Sequence, residues 1–192
     1  KPISYAAGSL NVGVIGASSF LGGHLLKSAR RSGWNPIPFS RNPIGKSAKI
    51  DWQVFSASGV YHRGKMGDWI ALCPIMALPN ALPLLELAGV ERLVAVSSTS
   101  LFSKKYSRDS RERMLAKNLK QAEEALKIWA AQKGVSLIIL RTTLTYDGTG
   151  DENISKMARF IRKFQCLPVL LPASGLRQPL HAEDVAMACL SA

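Results

Sequence analysis

Val12-Gly13-Val14-Ile15-Gly16-Ala17-Ser18-Ser19-Phe20-Leu21-Gly22 is the stretch that decides the reading of this chain. The short apolar run 11–16 ends in glycine, as a buried parallel strand does. Beyond it, Leu21, Leu25, Leu26 and Ala29 fall at helical spacing, and Arg30, Arg31 and Gly33 close the helix as its dipole and C-cap favour. A strand that runs through a glycine turn into a helix lets backbone amides approach a pyrophosphate, and the helix N-terminus favours the negative charge. Gly16 permits the tight turn, Gly22 lets helix pack on strand, and Ser18 and Ser19 add hydroxyls. The alternative is a plain strand-to-helix turn that needs only small residues; the flanking strand and helix favour dinucleotide binding.

Outward from this turn the pattern alternates. Residues 35–39, 50–55, 68–73, 92–97 and 135–140 read as further strands, and 80–87, 110–132, 154–164 and the stretch from Ala182 as helices. Short links between them predict the α/β class: a Rossmann-type doubly wound parallel sheet with helices on both faces and its ligand at the carboxyl ends of the strands. The expected organisation is an N-terminal extension at 1–10, a nucleotide-binding domain at 11–175 and the start of a substrate-binding part at 176–192. The chain opens on Lys1 and stops inside a predicted helix, so both ends read as cut and the C-terminal substrate segment as truncated.

Composition bounds the partners. The 192 residues carry 25 Lys and Arg against 13 Asp and Glu, a net charge of +12. Residues 1–85 hold nine basic and two acidic side chains, and residues 86–192 the other sixteen and eleven, so no single tail carries the excess. Such a balance suits an anionic ligand or nucleic acid. No Arg/Lys run is interleaved with aromatics, which argues against nucleic acid. Cys73, Cys166 and Cys189 form no CxxC, and His24, His62 and His181 have no ligand spacing, so reduced thiols in a cytoplasmic protein without a metal are expected. The most apolar stretch, 69–90, is broken by Pro74, Pro79, Pro83 and Glu86 and does not read as a membrane span. No signal-peptide pattern precedes the first strand.

The second strand ends Pro38-Phe39-Ser40-Arg41-Asn42. In Rossmann domains an acid near this position takes the ribose 2′-OH of NAD. None is present, and Ser40 with Arg41 suits a 2′-phosphate, so NADP is the expected cofactor with NAD left open. A solvated loop arginine is the alternative.

The segment GASSFLG at 16–22 resembles the GxxGxxG loop of the short-chain dehydrogenase/reductase superfamily, with Ser19 in place of the middle glycine. Three more matches follow in family order. Residues 93–102, LVAVSSTSLF, resemble the fifth strand; residues 134–148, GVSLIILRTTLTYDG, resemble the sixth strand and its RPxxxYG loop, with Thr142 for Pro; residues 176–186, LRQPLHAEDVA, resemble the later HxxDVA signature. The likeness is to the extended and atypical groups, in the NAD-dependent epimerase/dehydratase branch that acts on nucleotide sugars.

The resemblance implies a cofactor site of Gly16, Ser18, Ser19, Phe20, Leu21, Gly22, Ser40, Arg41, Cys73, Pro74, Ser97, Arg141, Thr142 and Leu144. It implies that Tyr146, Arg177 and His181 face a small anionic substrate such as a nucleotide sugar, and that Ser98 or Thr99 presents a hydroxyl to it. Backbone capping by those hydroxyls is the alternative. The family's Tyr-x-x-x-Lys pair, which moves the proton accompanying hydride transfer, is missing from the helix at 110–132. Lys117 could keep the ribose role, and Tyr106 could replace the tyrosine if its loop folds inward. Tyr61-His62-Arg63-Gly64-Lys65 matches the spacing but precedes the fourth strand, on the wrong side of the sheet, and reads as coincidence. Two functions remain: an epimerase/dehydratase-like oxidoreductase with a rearranged acid/base set, or a catalytically silent NADP-binding sensor or assembly protein. A homodimer is left open.

Overall fold

The computed structural model describes residues 10–41, 52–54, 64–151, 153–168 and 178–192. Its centre is a six-stranded, all-parallel sheet: β1 (Asn11–Ile15), β2 (Asn35–Ser40), β3 (Gln53–Val54), β4 (Asp68–Ala71), β5 (Arg92–Ser98) and β6 (Ser136–Thr142). The spatial order is β3-β2-β1-β4-β5-β6. That order reverses direction between β1 and β4, and the crevice at this switch point is where such sheets bind ligands.

Side chains alternate between the two faces with the two-residue period of a strand. Val12, Val14, Ile70 and Val94 point to one face, under α1 (Phe20–Arg31) and α6 (Ala182–Ser191). Ile15, Trp69, Ala71, Leu93 and Ala95 point to the other. There they meet the 3-10 segment Ile75–Ala81, α2 (Leu82–Ala88) and α4 (Ser110–Lys133). Trp69 is 1% exposed and lies where a side chain on Gly13 would be; its indole donates to the Met66 carbonyl at 2.7 Å. The sheet-facing stripe of α4 is Ala116, Leu119, Ala122, Glu123, Leu126, Trp129 and Ala130, an i, i+3, i+4 pattern with one carboxylate in it.

The expected helix at 80–87 divides. Its first part belongs to the 3-10 segment, and the α-helix starts at Leu82 with Pro83 in its first turn, where the missing N–H costs no helix bond. Among the described residues the third strand is only Gln53–Val54. Three small elements have no clear sequence signal: α3 (Ser100–Ser103), and the parallel pair β7 (Thr145–Tyr146) with β8 (Leu180–His181). The helix α5 (Ile154–Phe164) buries only Ser155 and exposes Met157, Phe160, Ile161 and Phe164 beside Lys156, Arg159, Arg162 and Lys163. Among the described residues no helix is long and apolar enough to cross a membrane, and no cluster of three or more potential metal ligands occurs.

Candidate functional site

The glycine turn sits at the switch point. Gly16 adopts φ +77°, and a Cβ there would come within 2.6 Å of the Cys73 amide. Two of the turn's amides face β2: Gly16 and Ala17 both donate to the Phe39 carbonyl, at 3.1 and 3.3 Å. The Ser19 amide donates back to Gly16 O at 2.9 Å. Ser19 has φ −72° and ψ 167°, extended backbone that needs no glycine, and its hydroxyl caps α1 by accepting from the Gly22 amide at 3.2 Å. The departure from the family's middle glycine is therefore a helix N-cap. Phe20 and Leu21 open α1, so their amides have no partner inside the helix and point from its N-terminus. A Cβ on Gly22 would lie 2.0 Å from Ala17 O, so only glycine lets α1 close on the turn.

Ser18 and Ser40 share a hydroxyl hydrogen bond of 2.6 Å, which ties the turn to the end of β2. Arg41 follows in an exposed position. Its charge reaches Cys73 at the end of β4, where burial pushes the thiol pKa up and a backbone hydrogen bond and Arg41 offset part of that rise. Pro74, beside it, is exposed and opens the 3-10 segment. Gly16, Ser18, Ser19, Phe20, Leu21, Gly22, Ser40, Arg41 and Cys73 thus lie together at the carboxyl ends of β1, β2 and β4.

The ends of β5 and β6 are built differently. Ser97 and Arg141 are register partners on these strands. Both bind Glu123 of α4, which is 1% exposed. Ser97 Oγ donates to Glu123 Oε1 at 2.6 Å, and Arg141 donates through Nε at 3.0 and 3.1 Å and through its terminal nitrogen at 2.5 Å. Burial raises the Glu123 pKa, and the hydrogen bonds from Arg141 and Ser97 outweigh it and hold the carboxyl below its usual range. The Arg141 guanidinium also lies over the Phe102 ring, 5.4 Å from its centroid. Arg141, expected at the cofactor, is partly exposed and pairs with this buried carboxylate.

The hydroxyls beside this clamp bond to backbone. Ser98 Oγ accepts from the Ser100 amide at 3.1 Å, Thr99 Oγ1 donates to Thr142 O at 3.3 Å, and Thr142 Oγ1 donates to Ser97 O at 3.2 Å. The capping alternative describes them. Tyr106 is 83% exposed with Lys105 at its ring, so its loop does not fold inward. Lys117 is exposed, because the sheet-facing stripe passes through Ala116 and Leu119 and turns position 117 to solvent. The four candidate catalytic residues are not brought together. Tyr61 lies outside the described residues, as does Arg177.

The loop after β6 returns toward α1. Leu144 O accepts from the Leu180 amide at 2.9 Å. The Tyr146 ring stands edge-on to His181 at 5.5 Å, His181 to His24 at 6.2 Å, and His24 to Phe20 at 5.5 Å. His24 Nε2 meets Asp147 Oδ2 at 3.2 Å, and Asp147 also accepts from the amides of Thr149 and Gly150. His181 caps α6, its Nδ1 accepting from the Glu183 amide at 3.3 Å. Sequence reasoning missed Glu123, His24 and Asp147. The signal for Glu123 was a charged residue at an apolar position of a helical stripe; two-residue strands left no signal for the other pair.

No family model and no curated protein matches the sequence. Solved structures match the fold. A UDP-N-acetylglucosamine 4-epimerase from Bacillus cereus is 19% identical, with a TM-score of 0.71 over 95% of this chain and 71% of its own. A UDP-glucose 4-epimerase from Thermus thermophilus, solved in complex with NAD, is 17% identical, with a TM-score of 0.67 over 94% of this chain and 73% of its own. Vestitone reductase from alfalfa is 15% identical, with a TM-score of 0.66 over 94% and 71%. At these identities the likeness is one of fold: the chain shares the parallel-sheet α/β fold of those epimerases and of that reductase.

Proposed function

We propose that this chain binds NADP as the nucleotide-binding part of an epimerase/dehydratase-like oxidoreductase acting on a nucleotide sugar or a related anionic substrate. The observation that carries the reading is the glycine turn: a Cβ-free cradle at Gly16 and Gly22, with the first-turn amides of α1 aimed from the switch point of the sheet. Such a cradle fits a pyrophosphate. Ser18, Ser40 and Arg41 would hold the adenosine side, with Arg41 on the 2′-phosphate. A bound nicotinamide supplies the hydride acceptor and donor. Several of the similar structures are named as complexes with NAD or with UDP-sugars, which supports the class of ligand.

A second reading is favoured by a specific observation. Tyr106 and Lys117 are exposed, Thr99 donates to a backbone carbonyl and Ser98 accepts from a backbone amide, so these four candidates do not assemble a replacement for the Tyr-x-x-x-Lys pair at the β5–β6 strand ends. Holding NADP without chemistry, as a sensor or assembly protein, agrees with that. Fluorescence titration with NADPH and NADH tests the shared part: NADPH is expected to bind more tightly, and tighter NADH binding overturns the role given to Arg41. Incubation of the chain with NADP and a panel of UDP-sugars separates the two readings, since new sugar products appear only for an enzyme.

A further inference from the structure

Glu123 is an anomaly on its helix. Its neighbours on the sheet-facing stripe are Ala116, Leu119, Ala122 and Leu126, and an apolar residue would complete that stripe without removing a charge from water. Its carboxylate instead lies at the carboxyl ends of β5 and β6 and gathers one group from each strand, Ser97 and Arg141. Arg141 in turn covers Phe102 on α3. The Thr99 amide and hydroxyl and the Thr142 hydroxyl lace the same two strand ends through backbone carbonyls. One buried side chain therefore fixes β5, β6, α3 and α4 relative to each other.

The sheet order says which part of a dinucleotide this region meets. The pyrophosphate belongs at the β1–α1 turn and the adenosine ribose at the end of β2. The other half of the molecule then extends the opposite way along the order β2-β1-β4-β5-β6, over the clamped ends.

Resting on the dinucleotide reading above, we propose that Glu123 is a positioning residue: acting through Arg141 and Ser97, it sets the β5–β6 strand ends that receive the nicotinamide half of the cofactor. It touches no ligand itself. Glu123 is buried and Arg141 is partly exposed; replacing such a pair by apolar side chains leaves a fold about as stable as before, whereas leaving the buried charge unpaired does not. A purely structural clamp and a positioning clamp therefore part ways in the charge-free pair.

The experiment compares the wild-type chain, Glu123→Gln, Ser97→Ala and the double variant Glu123→Leu/Arg141→Met. Affinity is measured for NADPH and for adenosine 2′,5′-bisphosphate, which carries only the adenosine side, with Tm read in parallel. The expected result for the double variant is a near wild-type Tm, bisphosphate affinity within about twofold, and NADPH affinity reduced ~10- to 100-fold, as small misplacement of a binding group does. Ser97→Ala should show the same split in weaker form, and both variants keep the test open where Glu123→Gln does not fold. Equal losses for both ligands, or no loss for either, overturn the positioning role while leaving the dinucleotide reading in place. Failure of the wild-type chain to bind either ligand overturns both.

Discussion

The two halves of the sheet face the same crevice with different material. On the β1–α1–β2 side the site is backbone: a positive-φ glycine, a helix N-terminus and two positions without a Cβ, Gly16 and Gly22. On the β5–β6 side it is side chain: a buried carboxylate, a guanidinium and three hydroxyls bonded among themselves and to carbonyls. Backbone geometry of the first kind has few chemical solutions, so the residues that permit it are diagnostic. A side-chain lattice of the second kind can be built in many ways, so a serine or arginine at the expected place says less about what it touches.

The largest expected effect breaks the backbone side. Gly22→Ala places a methyl 2.0 Å from Ala17 O, a backbone atom that cannot swing away. Stability should fall by about 1–3 kcal/mol, as overpacking does, and NADPH binding should be lost in a fluorescence titration. Its neighbour supplies the control. A Cβ on Gly23 meets nothing within 4 Å, so Gly23→Ala should stabilise α1 by about 0.5–1 kcal/mol and leave binding intact. If both substitutions behave alike, the cradle is not what α1 is built around.

A smaller effect sharpens the cofactor side. Arg41 is exposed at the end of β2, and a charge-assisted bond to phosphate is worth about 1.5–3 kcal/mol. Arg41→Ala should weaken NADPH binding by roughly 10- to 100-fold and leave NADH unchanged. On the opposite side, Ser98→Ala and Tyr106→Phe should hardly move either affinity, with Ser98→Ala costing about 1 kcal/mol of stability for the lost bond to the Ser100 amide. A tenfold loss on Tyr106→Phe would show that its loop reaches the crevice in solution.

This division also explains what could be read before the fold was known. The apolar run through Val12, Val14 and Ile15, the helical spacing of Leu25 and Leu26, and the glycine turn between them point to the parallel sheet, because burial and backbone sterics act through local pattern. Ser19 looked like a defect in a glycine motif and is a cap, a distinction carried by one dihedral angle. Ser97, Ser98, Thr99 and Arg141 lie at the strand ends, but where the polar atoms of Ser97 and Arg141 point depends on Glu123, 26 and 18 residues away in the chain, while those of Ser98 and Thr99 turn to the backbone of Ser100 and Thr142. Lys117 was drawn from its spacing in a motif, whereas the rotation of α4 is set by the Ala116, Leu119 and Glu123 stripe.

Acid sharpens the comparison with the smallest effect, because the glycine turn contains nothing that titrates and the clamp does. A carboxylate whose pKa is lower folded than unfolded binds its proton more weakly in the fold, so it stabilises the fold above its unfolded pKa of about 4.3. That contribution drains away as pH falls through the lower, folded value. Glu123 is of this kind, and so are Asp147 and Asp151. Burial alone would raise the Asp151 pKa, but bonds from the hydroxyl and amide of Ser155 and the amide of Asn153 draw it down to about 2. Both aspartates are present in the wild-type chain and in Glu123→Leu/Arg141→Met, so their share cancels when the two are compared. The Tm of the wild type should therefore fall further than that of the double variant between pH 6 and pH 3, and each kcal/mol of difference moves Tm by about 2–4 °C in a chain of this size. Parallel Tm curves would mean that Glu123 is not held as its carboxylate by Arg141, and the contrast between a backbone-built and a charge-built half of the site would lose its electrostatic member.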